Sequence, residues 1–434
     1  MLGPMNRIEL IELSVLYLPI VLAAFCWHYF KPVVKMRGAL LLSFLWSFVS
    51  IFAVNQAAFY FDWWHYAETS IAYNGLPLSV WLGWCIAWGI VVPLLPIRGS
   101  ALLLLALVAD LLLMPLLEPL VILRSNWLVG EVVALVVVII PAVLIYRWTL
   151  LQKSMNLRVI FQGIIFFSLV AYFLPDVFLT YLGKRTFSFP EVSPFVRGIQ
   201  LNLLFFWIVI GISAVREFIH QGKGTPIPYD SPRRMVTSGI YAYVSNPMQL
   251  STFVALCAYA WLLGFGGIIG AGVMVVIYSL GVALPSEGKD LTNRFGEDWL
   301  TYRKRRKPFI PAWQPYQNPA NTSATIYFAK RCETCSFLGK WLQSKQPKGL
   351  DFEDAENFPG SPLKRLTYIQ NGVRYEGVCA FARGLYHINL GWAIVACFIQ
   401  FPGISHILQI IADSDMFGPT YHKPEAAKLL VKSR

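Results

Sequence analysis

Apolar runs of about 20 residues, the length that crosses a bilayer as a helix, recur near positions 8–30, 38–60, 76–96, 99–123, 127–151, 158–181 and 198–219. A further apolar pair with a glycine-rich turn lies between 247 and 286. The pattern predicts an α-helical polytopic membrane protein with about nine spans. After about Trp313 the pattern changes, because "QPYQNPANTS" is polar and proline-bearing and reads as a linker. The expected organisation is an N-terminal transmembrane region (1–190), a second membrane domain (191–313), a linker (314–321), a small α/β domain (322–420) and a basic tail (421–434).

Composition agrees with a membrane protein. Of the 434 residues, 56% are hydrophobic and only 14% charged, far from the usual balance of a soluble domain. The formal net charge is +12. Its cations concentrate in "KPVVKMR" (31–37), in the loop with Arg147, Lys153 and Arg158, in 216–234 and in the stretch after Glu287. Positive loops stay cytoplasmic, so these segments share one side if the N-terminus is outside and the C-terminal domain cytoplasmic. Lys184, Arg185 and Arg197 form a loop that departs from this rule. The basic face is expected to attract membrane lipids with anionic headgroups. No aromatic–basic platform accompanies it, so no nucleic acid partner is expected. The first apolar run is long enough to span and lacks a small-residue cleavage site, which argues against a cleavable signal peptide.

Two segments carry candidate chemistry. In "GTPIPYDSPRRMVTSGIYAYVSNPMQLSTFVAL" (224–256), Pro226, Pro228 and Pro232 forbid a regular helix and Gly239 permits a turn. Irregular backbone at membrane depth is tolerated only when buried in protein or lining a polar cavity. Pro247 suits the first turn of a helix with Asn246 as its N-cap, and such a helix start can receive a carboxylate or phosphate. In "SEGKDLTNRFGEDWLTYRKRRKPFIPAW" (286–313), the spacing of Glu287, Asp290 and Arg294 puts them on one helical face. Two readings of that face stand: a carboxylate that accepts hydrogen bonds from ribose hydroxyls or an amine, or an interfacial helix with Asp290 and Arg294 paired on its surface.

In this order, and flanking a short transmembrane hairpin, the two segments resemble the isoprenylcysteine carboxyl methyltransferase and phospholipid methyltransferase family over roughly residues 195–313. Gly239, Tyr241, Asn246, Pro247 and Met248 match its first motif, and Glu287, Leu291, Phe295, Gly296, Trp299 and Tyr302 its second. The resemblance implies an integral membrane enzyme that binds S-adenosylmethionine at the cytoplasmic ends of its last helices, through Tyr241, Asn246, Pro247, Met248, Glu287 and Tyr302. It further implies a lipophilic small-molecule acceptor of lipid or isoprenoid type. Such a site aligns donor and acceptor and needs no nucleophilic side chain. The chain differs from the family pattern at Ser245 (Arg in the family), Gln249 (Tyr), Gly288 (the second Glu) and Pro308 (Arg). Lys307 and Asp290 are the neighbouring charges able to compensate.

Ionisable groups in apolar runs usually face a cavity or partner, and Asp110, Glu118 and Glu131 are of this kind. On a continuous helix Asp110 and Glu118 would lie on adjoining faces. They could serve a polar pocket or proton path, or hydrogen bond between helices, or pair with Arg98 or Arg124. The cluster "FYFDWWHY" (59–66) reads as an interfacial aromatic belt. The six histidines are scattered without helical ligand spacing, so no metal site is expected.

In the C-terminal domain, "ATIYFAKRCETCSFLGKWLQSKQ" (324–346) predicts a strand, a Cys-x-x-Cys turn and an amphipathic helix starting near Cys335. Cys332 would then sit at a helix N-terminus beside Lys330 and Arg331, a setting that favours thiolate. A strand "LDFED" (350–354) and a hairpin turning at Asn371-Gly372 follow. Residues 322–415 resemble the DCC family of thiol-disulfide oxidoreductase-like domains, which look thioredoxin-like; Ala329 stands where that family has Asp. The resemblance implies redox roles for Cys332 and Cys335. Cys26, Cys85, Cys257 and Cys397 read as small buried hydrophobes. The apolar stretch "NLGWAIVACFIQF" (389–401) is expected to pack on the membrane domain. Three functions remain open: a methyltransferase with a fused thiol-redox domain, a membrane-anchored thiol-disulfide oxidoreductase, and a non-enzymatic subunit or assembly factor meeting a protein partner through the C-terminal domain.

Overall fold

The computed structural model describes residues 7–97, 99–225, 232–317, 324–329, 333–358, 363 and 365–414. It is mostly helical, with a small sheet near the C-terminus, and divides into two compact units, one ending at Asp176 and the other beginning at Val177.

The first unit contains α1 (Arg7–Phe30), α2 (Val34–Tyr60), α3 (Leu78–Leu94), α4 (Ser100–Leu116) and α5 (Trp127–Leu151), and the unit boundary falls within α6 (Met155–Leu182). Two ribbons accompany them: β1 (Trp64–Tyr66) pairs antiparallel with β4 (Val121–Leu123), and β2 (Ala72–Tyr73) with β3 (Leu76–Pro77). Helix α2 is the centre of the unit, with 72% of its apolar window buried against 11% for α1. The apolar side chains of α1 are therefore largely uncovered by protein, as on a lipid-facing helix.

Three expectations for this unit change. Helix α4 ends at Leu116, so Glu118 lies beyond the helix and shares no helical face with Asp110. Pro119 explains the stop, because its ring biases the preceding residue away from helical backbone. Asp110 instead hydrogen bonds to Glu131 on α5, and both are buried. Arg124 pairs with Asp62, not with these acids, and Arg98 lies outside the described residues. In the aromatic cluster, Tyr60 and Phe61 are exposed as a belt requires, but Trp64 is fully buried in β1. Its Nε1 donates to Asn55 Oδ1 at 2.9 Å, and Gly130 lies so close to its ring that a Cβ there would clash.

The second unit opens with α7 (Pro194–Gly222), which begins at Ser193, whose Oγ accepts from Val196 N, and stops at a left-handed Lys223. Helices α8 (Pro247–Leu263) and α9 (Gly267–Gly281) form a hairpin, and α10 (Leu284–Arg305) follows with a kink at Gly296. The exceptional basic loop has a structural role: Arg185 donates to Leu263 O, and Arg197 to Leu262 O at 3.3 Å. These carbonyls end α8 and lack helical partners, so the cations cap a helix.

Strand β5 (Ala324–Phe328) runs parallel to β6 (Leu350–Asp354) through the connecting helix α11 (Glu333–Ser344). Strands β7 (Thr367–Gln370) and β8 (Val373–Glu376) form an antiparallel hairpin, giving the order β6-β5-β7-β8. Asn371 and Gly372 both take positive φ at its turn, as a type I′ hairpin requires. Helices α12 (Gly377–Leu385), α13 (Leu390–Ile399) and α14 (Ile404–Asp413) complete the unit. Ala324, Ile326 and Phe328 alternate inward on β5. They belong to one hydrophobic core with Val209, Ile210 and Ala214 of α7. Packing of the apolar 389–401 stretch on the membrane helices is part of that same core, through Ala393, Ala396 and Cys397.

Five helices among the described residues are long and apolar enough to cross a membrane: α1, α2, α5, α6 and α7. Helices α3, α4, α8 and α9 are apolar but shorter. Cys26, Cys85 and Cys397 are buried and Cys257 is half-buried.

Candidate functional site

Of the residues singled out between 239 and 302, Tyr241 and Tyr302 meet directly in the second unit, and Ser245 and Glu287 both meet Arg303. Gly239 opens a short 3₁₀ turn, Gly239–Ala242, that carries Tyr241. Its φ is +60°, and a Cβ at this position would lie 2.7 Å from Cδ of Glu217, so the turn can pack on α7 only as glycine. Tyr241 is buried and its Oη has no hydrogen-bond partner, an arrangement that costs about 1–3 kcal/mol when nothing fills it. Burial pushes its phenol well above the ordinary value, with Tyr302, Glu217 and Glu287 adding to the shift.

The second segment is stitched to this turn. Tyr302, fully buried on α10, donates from Oη to Tyr241 O at 2.8 Å. Its ring meets Tyr316 edge-on at 5.1 Å. Arg306 Nε donates to Ala242 O at 2.6 Å, Ala312 N to Tyr243 O at 2.9 Å, and Ser245 N to Lys307 O at 3.0 Å. Six decades of sequence are closed in this way by side chain and backbone together.

Three of the expected residues sit at the start of α8. Pro247 is its first residue. Asn246 occupies the cap position, but its side chain makes no capping bond. Nδ2 instead donates to Gln249 Oε1 at 2.5 Å, which also accepts from Ser279 Oγ on the neighbouring helix. Gln249, one of the departures from the family pattern, thus draws the asparagine amide away from capping. Met248 is partly buried against the core, and its carbonyl accepts from Ser251 and Thr252. Pro226 and Pro228 lie outside the described residues.

Glu287 is half-buried near the start of α10. Burial pushes its carboxyl up and the Arg303 guanidinium pulls it back. Arg303 also donates from Nη1 to Ser245 Oγ at 2.9 Å and lies over the Trp299 ring. The sequence reading missed Arg303, because it stands in a run of cations that resembles a solvated tail. Of the two compensating charges weighed from sequence, Asp290 is used otherwise. Asp290 pairs with Arg294 at 3.2 Å on the surface, while Lys307 meets Ser245 through its backbone carbonyl.

A cavity of about 80 Å³ adjoins the turn, lined in part by Thr237, Ser238, Gly239, Tyr316, Arg383 and His387. None of Asn246, Met248, Glu287 and Tyr302 lines it. Burial holds the His387 imidazole down to about pKa 4. Its Nδ1 lies 2.8 Å from Lys348 O, which can only accept, so Nδ1 carries the proton. Nε2 lies 2.9 Å from Tyr368 Oη, which donates to Gln370 Oε1 at 2.9 Å.

Of the thiol pair, Cys335 lies half-buried in the first turn of α11. Cys332, Lys330 and Arg331 lie outside the described residues, as do the linker positions 318–321 and the tail 421–434. The chain matches no family model, no curated protein and no solved structure.

Proposed function

We propose that the chain is a membrane-embedded, S-adenosylmethionine-dependent methyltransferase acting on a lipid or isoprenoid-type acceptor. The observation that carries this reading is the convergence of Tyr241, Ser245, Tyr302 and Arg303 through the Tyr302–Tyr241 and Arg303–Ser245 hydrogen bonds, with Glu287 close to Arg303.

The residues present fit the cofactor. Glu287 offers a carboxylate to its cationic groups, Arg303 a guanidinium to its carboxylate, and the orphaned Tyr241 hydroxyl a donor. When bound, S-adenosylmethionine supplies an electrophilic methyl group. The chain's own residues then orient the donor, exclude water and admit an acceptor from the bilayer. Arg303 takes the place of the cation that Ser245 lacks relative to the resembled family.

On this reading α3, α4, α8 and α9 join the five long helices to make nine crossings, with the N-terminus outside and the sheet domain cytoplasmic. The capping roles of Arg185 and Arg197 remove the main objection from loop charge. The β5-α11-β6 unit with Cys335 at the helix start supports a thioredoxin-like, DCC-type thiol domain, fused to the methyltransferase as a redox or docking module.

The test is transfer of a labelled methyl group from S-adenosylmethionine into solvent-extractable product by the purified protein in lipid vesicles. Transfer that Glu287→Ala abolishes and Cys332→Ser with Cys335→Ser leaves intact supports the reading. A folded wild-type protein that transfers no methyl group, but catalyses a thiol–disulfide exchange that the cysteine variant loses, favours the membrane-anchored oxidoreductase instead.

A further inference from the structure

Helix α13 lies against α7, a helix long and apolar enough to cross a membrane. Phe398 packs on Phe205 and Phe206 with ring centroids 6.2 and 5.6 Å apart, and Phe401 on Phe205 at 5.5 Å. Tyr386 Oη bridges Ser213 Oγ at 3.1 Å and Cys397 Sγ at 3.4 Å. Arg216 is the first cation at that end of α7, and Phe205 lies about 16 Å along the helix from it at 1.5 Å per residue. That is roughly half the thickness of a hydrocarbon core. The end of α13 therefore sits beside a stretch of α7 at bilayer depth, where Phe205 and Leu201 remain 41% and 49% exposed.

At this depth the chain bends by 83° into α14. One face of α14 is fixed to the sheet domain. Gln409 Oε1 accepts from Val378 N at 2.9 Å, and Arg365 Nε donates to Asp413 Oδ1 at 3.1 Å. Ile407 and Ile411 lie on the opposite face and Ile410 on its flank, and they are 60%, 48% and 71% exposed. Three neighbouring isoleucines pinned outward by polar contacts on the other side form an apolar patch that water disfavours.

We propose that α13 and α14 form a bent helical pair seated in the lipid bilayer against α7, with Ile407, Ile410 and Ile411 facing acyl chains. The occupant is lipid because α14 leaves α13 just after Phe401, which packs on Phe205 beside exposed apolar side chains of α7. The sheet domain is thus held at the membrane by α13 and α14 as well as by the preceding chain. This inference is independent of methyl transfer.

The test places a genetically encoded fluorescent amino acid at position 407 or 410 of the full chain, reconstituted in phosphatidylcholine vesicles with or without brominated acyl chains. Labels at Leu201 on α7 and Lys340 on α11 serve as references, since both side chains are exposed. Loss of emission at 407 and 410 matching the loss at 201, with 340 unaffected, is expected. Emission at 407 and 410 that survives as it does at 340 overturns the proposal and makes the isoleucine face a protein-binding surface.

Discussion

Arg383 of α12 reaches Glu217 of α7 across 166 residues of sequence, with Nη2 2.9 Å from Oε1 and Nη1 bonded to Oε2. Both side chains are almost wholly buried, at 2% and 6% exposure. The rings of Tyr368, Tyr375 and Tyr386 surround the guanidinium with centroids 5.6, 4.7 and 5.5 Å away, and Ser238 Oγ donates to the same carboxylate. One ion pair thus ties together the membrane helix, the turn that leads to Tyr241 and the sheet domain.

Breaking that pair from one side strands a buried charge. Arg383→Met should lower stability by about 3–5 kcal/mol, read as an earlier thermal transition in detergent. Glu217→Leu combined with Arg383→Met should recover much of the loss, because no charge is then left unpaired. Equal melting of the single and double variants would show that the pair is not what joins these elements.

Gly239 should be the most sensitive glycine of the site. An alanine there must adopt a positive φ and displace Glu217, a penalty of about 1–3 kcal/mol from backbone strain alone. Gly288→Ala, in open space, is the control and should melt like the parent protein.

Arg303 and Ser245 should be exchangeable as a charge source. Arg303→Ala should weaken S-adenosylmethionine binding about tenfold, equivalent to 1.4 kcal/mol. Adding Ser245→Arg to that variant should restore much of the affinity by returning the cation from the other side of the contact. Titration calorimetry on the three proteins checks this, and an unaltered Arg303→Ala would remove Arg303 from the site.

His387 gives a stability that depends on pH. Its folded pKa of about 4 lies below the ordinary 6.5, so the unfolded chain binds the extra proton first as pH falls. Lys348, Tyr368, Arg383 and Glu217 are the groups around it. Its contribution is present above pH 6.5 and declines as the pH drops toward 4. The ring is only half-buried, so the loss should be about 1–2 kcal/mol. A His387→Gln variant should flatten that part of the melting-temperature profile, and a profile unchanged by the substitution would contradict the assignment.

The features legible in sequence are those fixed by local chemistry. Apolar periodicity located the helices, Pro247 the start of α8, and Asn371-Gly372 the hairpin turn. What escaped depends on distant partners. Nothing near Glu217 announces Arg383, and nothing near Asp110 announces Glu131, because each is paired by packing between elements. Trp64 looked interfacial until its indole met Asn55 inside the core, and Asn246 lost its capping role to Gln249. The Tyr302–Tyr241 contact joins two segments that the motif paired in sequence, whereas the Arg303–Ser245 contact became visible only when α10 folded back on that turn.

The measurement that bears most directly on the proposed function is isothermal titration of S-adenosylmethionine into the purified protein and into Glu287→Ala. The account predicts micromolar binding, about −8 kcal/mol, that the substitution removes while the thermal transition stays in place. A folded wild-type protein that takes up no S-adenosylmethionine would contradict it.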